Sequence, residues 1–202
     1  MARVCVFCAS SERIHPAHVD LAREVGAEIA RRGHDLVSGG GRVSMMGAVA
    51  RAVRAGSRHT LGVIPQALVG LEVADTEADE LVVTTDMRER KGLMDSSADA
   101  FLALPGGLGT LEQLLEVWVA ASLGMHDKPV VVLDPTGVLS GLASLVDKLV
   151  AQGFVRPGAA AAAVWVTGVG EALDAVEAGL RRRAPARVAA GDVAEELLEG
   201  EV

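Results

Sequence analysis

The chain has 202 residues, half of them hydrophobic and only 2% aromatic, and a formal net charge of −8. That length suits one well-cored α/β domain built from Val, Leu and Ala; no apolar run approaches the roughly 18 residues of a membrane span, and the acidic balance speaks against broad electrostatic binding of nucleic acid. The start, MARVCVFC, lacks a signal peptide's long apolar stretch and small-residue cleavage site, so the protein reads as soluble and cytoplasmic, with no membrane and no nucleic-acid partner.

Short apolar runs alternate with helical patterns almost to the end. This predicts an α/β, Rossmann-like doubly wound parallel sheet of about seven strands with helices on both faces. The first strand, 3–8, holds Cys5 and Cys8 as a C-x-x-C. Residues three apart on a strand point to opposite faces, and no second cysteine pair completes a metal site, so both are expected in the core and no metal is expected. The turn that follows, CASSERIHP, lacks the G-x-G-x-x-G of a dinucleotide fold. A helix over 16–32 carries Leu21, Val25 and Ile29 at spacing four and is closed by Gly33.

The second strand, 35–38, runs into SGGGRVSMMG, Ser38 to Gly47, which opens a helix over 45–55. Glycines there permit positive φ and close approach to a ligand, and a helix start offers free N–H groups to an anion. Strands at 60–64 and 80–84 lead to TDMRERKGLM and a helix over 87–97. Asp86 can cap it, but Arg88, Arg90 and Lys91 in its first two turns oppose the macrodipole. A solvated basic face accounts for them, and so does a phosphate or carboxylate partner.

A strand over 99–104 leads into PGGLGT. Gly106, Gly107 and Gly109 would let the backbone wrap a phosphate, and Thr110 offers a hydroxyl and a helix cap. In the helix 110–123, Leu111, Leu114, Leu115 and Trp118 form the predicted buried stripe; Gln113 and Glu116 lie off it. A first-turn side chain there leans back over the glycine loop. Strands at 129–133 and 163–166 and helices at 139–152 and 170–182 complete a single α/β domain over 1–182. Basic RRRAPAR followed by acidic GDVAEELLEGEV makes 183–202 a charged C-terminal tail without a catalytic role.

Taken together, several motifs resemble one family, the LOG ("lonely guy") cytokinin riboside 5′-monophosphate phosphoribohydrolases. VCVFCASS, RRGHDLVSGGG, MMGAVARAV, GVIP, the M-x-E-R-K helix start, LPGGLGT and SLGMHDKPVVVLD stand in the family's order, from about Val4 to about Val155. Members have often carried the label lysine decarboxylase; with three lysines in the chain, none in a context that marks a pyridoxal phosphate anchor, no cofactor is expected. The resemblance implies hydrolysis of the N-glycosidic bond of a purine nucleoside 5′-monophosphate, of AMP or isopentenyl-AMP type, to free base and ribose 5-phosphate. It puts the catalytic arginine at Arg90, the phosphate loop at Gly106, Gly107, Gly109 and Thr110, and a second nucleotide-facing turn at Gly39, Gly40 and Gly41. Substrate contacts are further implied for Ser10, Met87, Arg88 and Lys91, in a homodimer or larger homo-oligomer with the site near the subunit interface.

The chain departs from the pattern where chemistry needs it most. In PGGxGTxxE the glutamate stands three after the threonine, which here is Gln113. A glycosidic bond breaks with positive charge developing on the sugar, which a carboxylate stabilises and an amide does not. Glu112 or Glu116 could substitute; the protein could be a slow enzyme or a nucleotide sensor; or Gln113 could be a near-isosteric replacement made to trap substrate. Ser44 stands where many members have glycine, and Arg88 replaces a common histidine.

Overall fold

The computed structural model describes residues 1–70 and 74–183. Seven strands form one sheet in the order β4-β3-β2-β1-β5-β6-β7, and every pairing is parallel. They are β1 (Arg3–Phe7), β2 (Asp35–Ser38), β3 (Thr60–Pro65), β4 (Glu80–Thr84), β5 (Ala100–Ala103), β6 (Val130–Leu133) and β7 (Ala163–Val166). β1, β2, β3, β5 and β6 consist almost wholly of buried residues, which is why they read as continuous apolar runs rather than alternating ones.

The helices are α1 (Pro16–Arg31), α2 (Ser44–Ala55), α3 (Met87–Ser97), α4 (Leu108–Ser122), α5 (Ser140–Ala151), α6 (Pro157–Ala160) and α7 (Val169–Arg182). Two cores flank the sheet. One gathers α1, α2 and α7 around Val25, Ile29, Met45, Val49 and Leu173; the other gathers α3, α4 and α5 around Phe101, Met94, Leu114 and Trp118. Cys5 belongs to the second core and Cys8 to the first, as opposite faces of one strand require. Both are free thiols; burial pushes Cys8 up to about 12 and Cys5 higher still, so neither is a nucleophile at neutral pH.

The predicted elements are recovered with shifts at their ends. The four-residue α6 was not anticipated; it closes over α4, where Trp118 Nε1 donates to the Ala159 carbonyl at 2.8 Å. α4 begins at Leu108 with Gly107 as its cap residue, so Thr110 lies inside the first turn rather than capping it. The buried stripe of α4 is Thr110, Leu114, Val117 and Trp118. Leu115, expected in that stripe, is 41% exposed, because α4 is apolar on a second face that this chain does not cover. The C-terminal tail lies outside the described residues except for Arg183, which pairs with Asp127 at 2.9 Å and with Asp99.

Helix α1 meets α2 closely because Gly26 has no side chain. A Cβ there would sit 2.5 Å from the Val49 carbonyl oxygen and 2.8 Å from Ala52 Cβ. Gly26→Ala gains about 1 kcal/mol in helix propensity, but a clash with backbone cannot be relieved by a rotamer change and costs about 1–3 kcal/mol. The expected result is a lower midpoint in urea with an unchanged slope; a raised midpoint would show that the two helices separate without cost.

Candidate active site

In an open parallel sheet the strand order reverses once, and loops on the two sides of that point diverge to leave a crevice at the carboxyl ends of the strands. Here the reversal falls between β1 and β5. A cleft of about 460 Å³ lies there, built by the loop after β1 (Cys8 to Ser11), the loop and first turn after β5 (Pro105 to Thr110), and side chains from α1, α2, α3 and α4.

The β5–α4 loop lines one wall of the cleft. The first intrahelical bond of α4 runs from Leu111 N–H to the Gly107 carbonyl at 3.0 Å, so the N–H groups of Leu108, Gly109 and Thr110 precede the helix ladder. Gly106 is required by packing: a Cβ would lie 2.1 Å from Thr110 Oγ1, and Thr110 is buried against it. Gly107 and Gly109 differ. Neither has positive φ, a Cβ on either would meet nothing within 4 Å, and both are exposed. Neither packing nor backbone conformation demands glycine at these two positions.

Arg90 enters the cleft from α3. Its side chain is buried, with Nε donating to the Val63 carbonyl at 3.0 Å and Nη2 to the Gly39 carbonyl at 3.1 Å. The polyglycine turn therefore has a use that its sequence does not disclose. A Cβ on Gly39 would stand 2.1 Å from Arg90 Nη2 and 3.2 Å from Met46 Sδ. Gly40, at φ +73, packs on β3, where a Cβ would lie 3.0 Å from Ile64 Cβ, and its carbonyl accepts from Asp75 N–H at 2.8 Å. Gly41 forms a bridge with Ala74. All three are buried outside the cleft lining, and the turn forms the socket of Arg90.

The remaining candidates separate into two groups. Ser10, Gly106, Gly107, Gly109, Thr110, Arg90 and Gln113 share the cleft. Met87 and Arg88 are exposed at the start of α3 beyond it, although Met87 Sδ lies 3.8 Å from Arg90 Nη1. Lys91 faces away from the cleft. It contacts Glu112, and it pairs with Glu116 at 2.9 Å, in a second groove of about 640 Å³ between α3 and α4. These two hydrogen bonds raise the Lys91 pKa further and keep it charged.

Gln113 lines both the cleft and the groove, its Nε2 3.8 Å from Met94 Sδ. Glu112 and Glu116, the possible substitutes for a catalytic carboxylate, both lie on the Lys91 side. Among the described residues, no aspartate or glutamate lines the switch-point cleft. Sequence reasoning passed over His18, Met45 and Met46, which also line it. The helix patterns of α1 and α2 assign those residues to packing, and only the crossing of these helices at the strand ends turns them toward the cleft.

Residues 46–176 match a family model described as possible lysine decarboxylase. Proteins named cytokinin riboside 5′-monophosphate phosphoribohydrolase are close in sequence. One from Mycobacterium marinum is 50% identical over 87% of this chain and 94% of its own. One from Mycobacterium tuberculosis is 51% identical over 85% and 91%, and one from Arabidopsis thaliana is 46% identical over 77% and 73%. Among solved structures, the molybdenum cofactor binding protein of Rippkaea orientalis superposes with a TM-score of 0.68 at 21% identity, over 88% of this chain and 96% of that one, which shows a shared fold. The cleft does not suit a pyridoxal phosphate enzyme: Lys91 and Lys128 are ion-paired outside it and Lys148 is exposed on α5. On sequence and fold, the chain belongs to the LOG family of cytokinin riboside 5′-monophosphate phosphoribohydrolases, the family whose model carries the description possible lysine decarboxylase.

Proposed function

We propose that this protein is a nucleoside 5′-monophosphate phosphoribohydrolase, cleaving the N-glycosidic bond of a cytokinin riboside or adenosine 5′-monophosphate in the cleft between β1 and β5. The observation that carries the reading is the convergence there of Arg90, the open α4 N-terminus and Gln113. The Leu108–Thr110 amides hold the 5′-phosphate, with the hydroxyls of Ser10 and Thr110 beside them. Gln113, one turn into the same helix, reaches the ribose. Water adds to the anomeric carbon as the C–N bond breaks, so the sugar keeps the hydroxyl and the base takes the proton. Arg90 offsets the negative charge that collects on the departing base; a guanidinium stays protonated, so its work is electrostatic rather than proton transfer. Residues 1–182 act as one unit in this reading, and the buried free thiols fit a reducing, cytoplasmic setting.

The missing carboxylate sets the rate. Gln113 can hydrogen-bond ribose hydroxyls but lends no charge to the oxocarbenium-like transition state. Gln113→Glu is expected to raise kcat for release of free base from AMP or isopentenyl-AMP by roughly 10²–10⁴. Equal rates for the two forms would show that charge at this position is irrelevant. If neither form hydrolyses AMP while both bind it, the protein is a nucleotide sensor on the same fold.

Arg90 depends on its socket. The clash that a Cβ on Gly39 would create is with the far end of a flexible side chain, so Gly39→Ala should fold and displace the guanidinium. The expected outcome is a fall in kcat by roughly 10²-fold or more with thermal stability within a few degrees of the parent, measured by base release and melting. Unchanged kcat would remove Arg90's present position from the mechanism.

The apolar face of α4 supports a homo-oligomer. Leu108, Leu115, Val119 and Leu123 are 86%, 41%, 53% and 60% exposed, and they fall on one helical stripe beside the α3–α4 groove, a patch of the kind that marks an interface. A second copy of the chain covers it, next to Gln113. Leu115→Asp with Val119→Asp should shift the mass found by light scattering from dimer or larger to monomer. An unchanged mass would place the interface elsewhere.

A further inference from the structure

Among the described residues, His18 is the one histidine that lines the cleft. It sits in the first turn of α1, partly buried, across the strand ends from Arg90 and Gln113. Its two ring nitrogens are unlike. Nδ1 is fully buried and has no hydrogen-bond partner. A proton there would be a buried N–H with nothing to receive it, which costs about 1–3 kcal/mol. The neutral ring therefore carries its proton on Nε2, the nitrogen that is not sealed in.

The surroundings narrow what Nε2 can serve. The cleft wall near His18 consists of Ser10, Ser11 and Ile14 from the same β1–α1 segment and Met45 from α2. The start of α2 is tied to that segment by Ser44 Oγ, which donates to the Ser11 carbonyl at 2.6 Å. Across the cleft stand the glycine loop and the free amides of α4. The polar side chains on this side are the Ser10 and Ser11 hydroxyls and His18 itself, and no carboxylate among the described residues lines the cleft to compete. A donor facing other donors implies an acceptor between them, and the acceptor that suits a helix N-terminus is an oxyanion.

We infer that His18 is a phosphate-binding residue, donating from Nε2 to a non-bridging oxygen of the substrate's 5′-phosphate opposite the Leu108–Thr110 amides. The assignment rests on the nucleotide reading of this cleft and adds a side-chain contact on the phosphate's far side. It makes His18 a binding residue remote from the bond that breaks, so it acts on affinity rather than on the chemical step.

Calorimetry with AMP, adenosine and ribose 5-phosphate on the parent protein, His18→Phe and His18→Gln tests it. Loss of one hydrogen bond to a charged group weakens binding by roughly 10-fold or more. That loss is expected for AMP and ribose 5-phosphate with His18→Phe, with adenosine unchanged. His18→Gln, which keeps an N–H at similar reach, should stay within about threefold of the parent. Base release should show the same split, with KM raised and kcat retained. Equal weakening of adenosine, equal loss in both variants, or no loss in a folded His18→Phe protein overturns the assignment. If the parent binds ribose 5-phosphate in a His18-dependent way but not AMP, the nucleotide reading fails and the phosphate contact stands. If the parent binds no phosphate compound, both fail.

Discussion

A guanidinium cannot be placed inside a protein unless something replaces the water it leaves, because burying an unpaired charge costs several kcal/mol. Arg90 meets that condition with the backbone carbonyls of Gly39 and Val63 among its partners. The two carbonyls come from the end of β2 and from β3, while Arg90 comes from α3. One side chain therefore pins a helix to the turn after β2 and to β3, and places a positive charge on the cleft lining. The rest of the site is arranged around that fixed charge. The turn after β2 must be glycine to admit the guanidinium, and Gly40 must take positive φ so that the chain can leave the sheet beside β3. Asp75, bonded to the Gly40 carbonyl and paired with Arg54 at 2.8 Å, fastens the same turn from outside.

On α4 the helical period makes the other decision. Glu112 and Glu116 are four apart and share an azimuth, so one lysine on α3 can hold both, and Lys91 does. Gln113 is rotated by about 100° from Glu112 and reaches the cleft as well as the groove. Such a partly exposed ion-pair cluster adds little stability, about 0–1 kcal/mol per pair. Its consequence is orientation: it draws two carboxylates to the groove side and leaves the cleft side with an amide. Among the described residues, the cleft lining therefore carries Arg90 and no carboxylate, in a chain of net charge −8.

Much of this was legible in advance. Buried parallel strands are continuous apolar runs, and helices beside them carry a four-residue period, so the strands and long helices lie close to where the pattern put them. The short α6 carries no period to detect, and Leu115 reads as core because an apolar residue left exposed on a helix leaves the same letter in the sequence as one packed inside it. PGGLGT reads as an anion loop, and in the structure neither packing nor positive φ requires its Gly107 and Gly109. SGGGR had the same signature yet serves Arg90, since glycine that admits a ligand and glycine that admits a side chain leave the same letter.

By itself, then, the sequence determined the alternation of strands and helices, the positions of the glycine turns and the replacement of a carboxylate by Gln113, because these depend on local conformation and residue chemistry. The tertiary structure decided which glycine turn faces the cleft, where Arg90 and Lys91 point, and that His18 lines the cleft. Those are contacts between segments far apart in the chain, and they exist only once the strand order reverses between β1 and β5 and brings α1, α3 and α4 to one crevice.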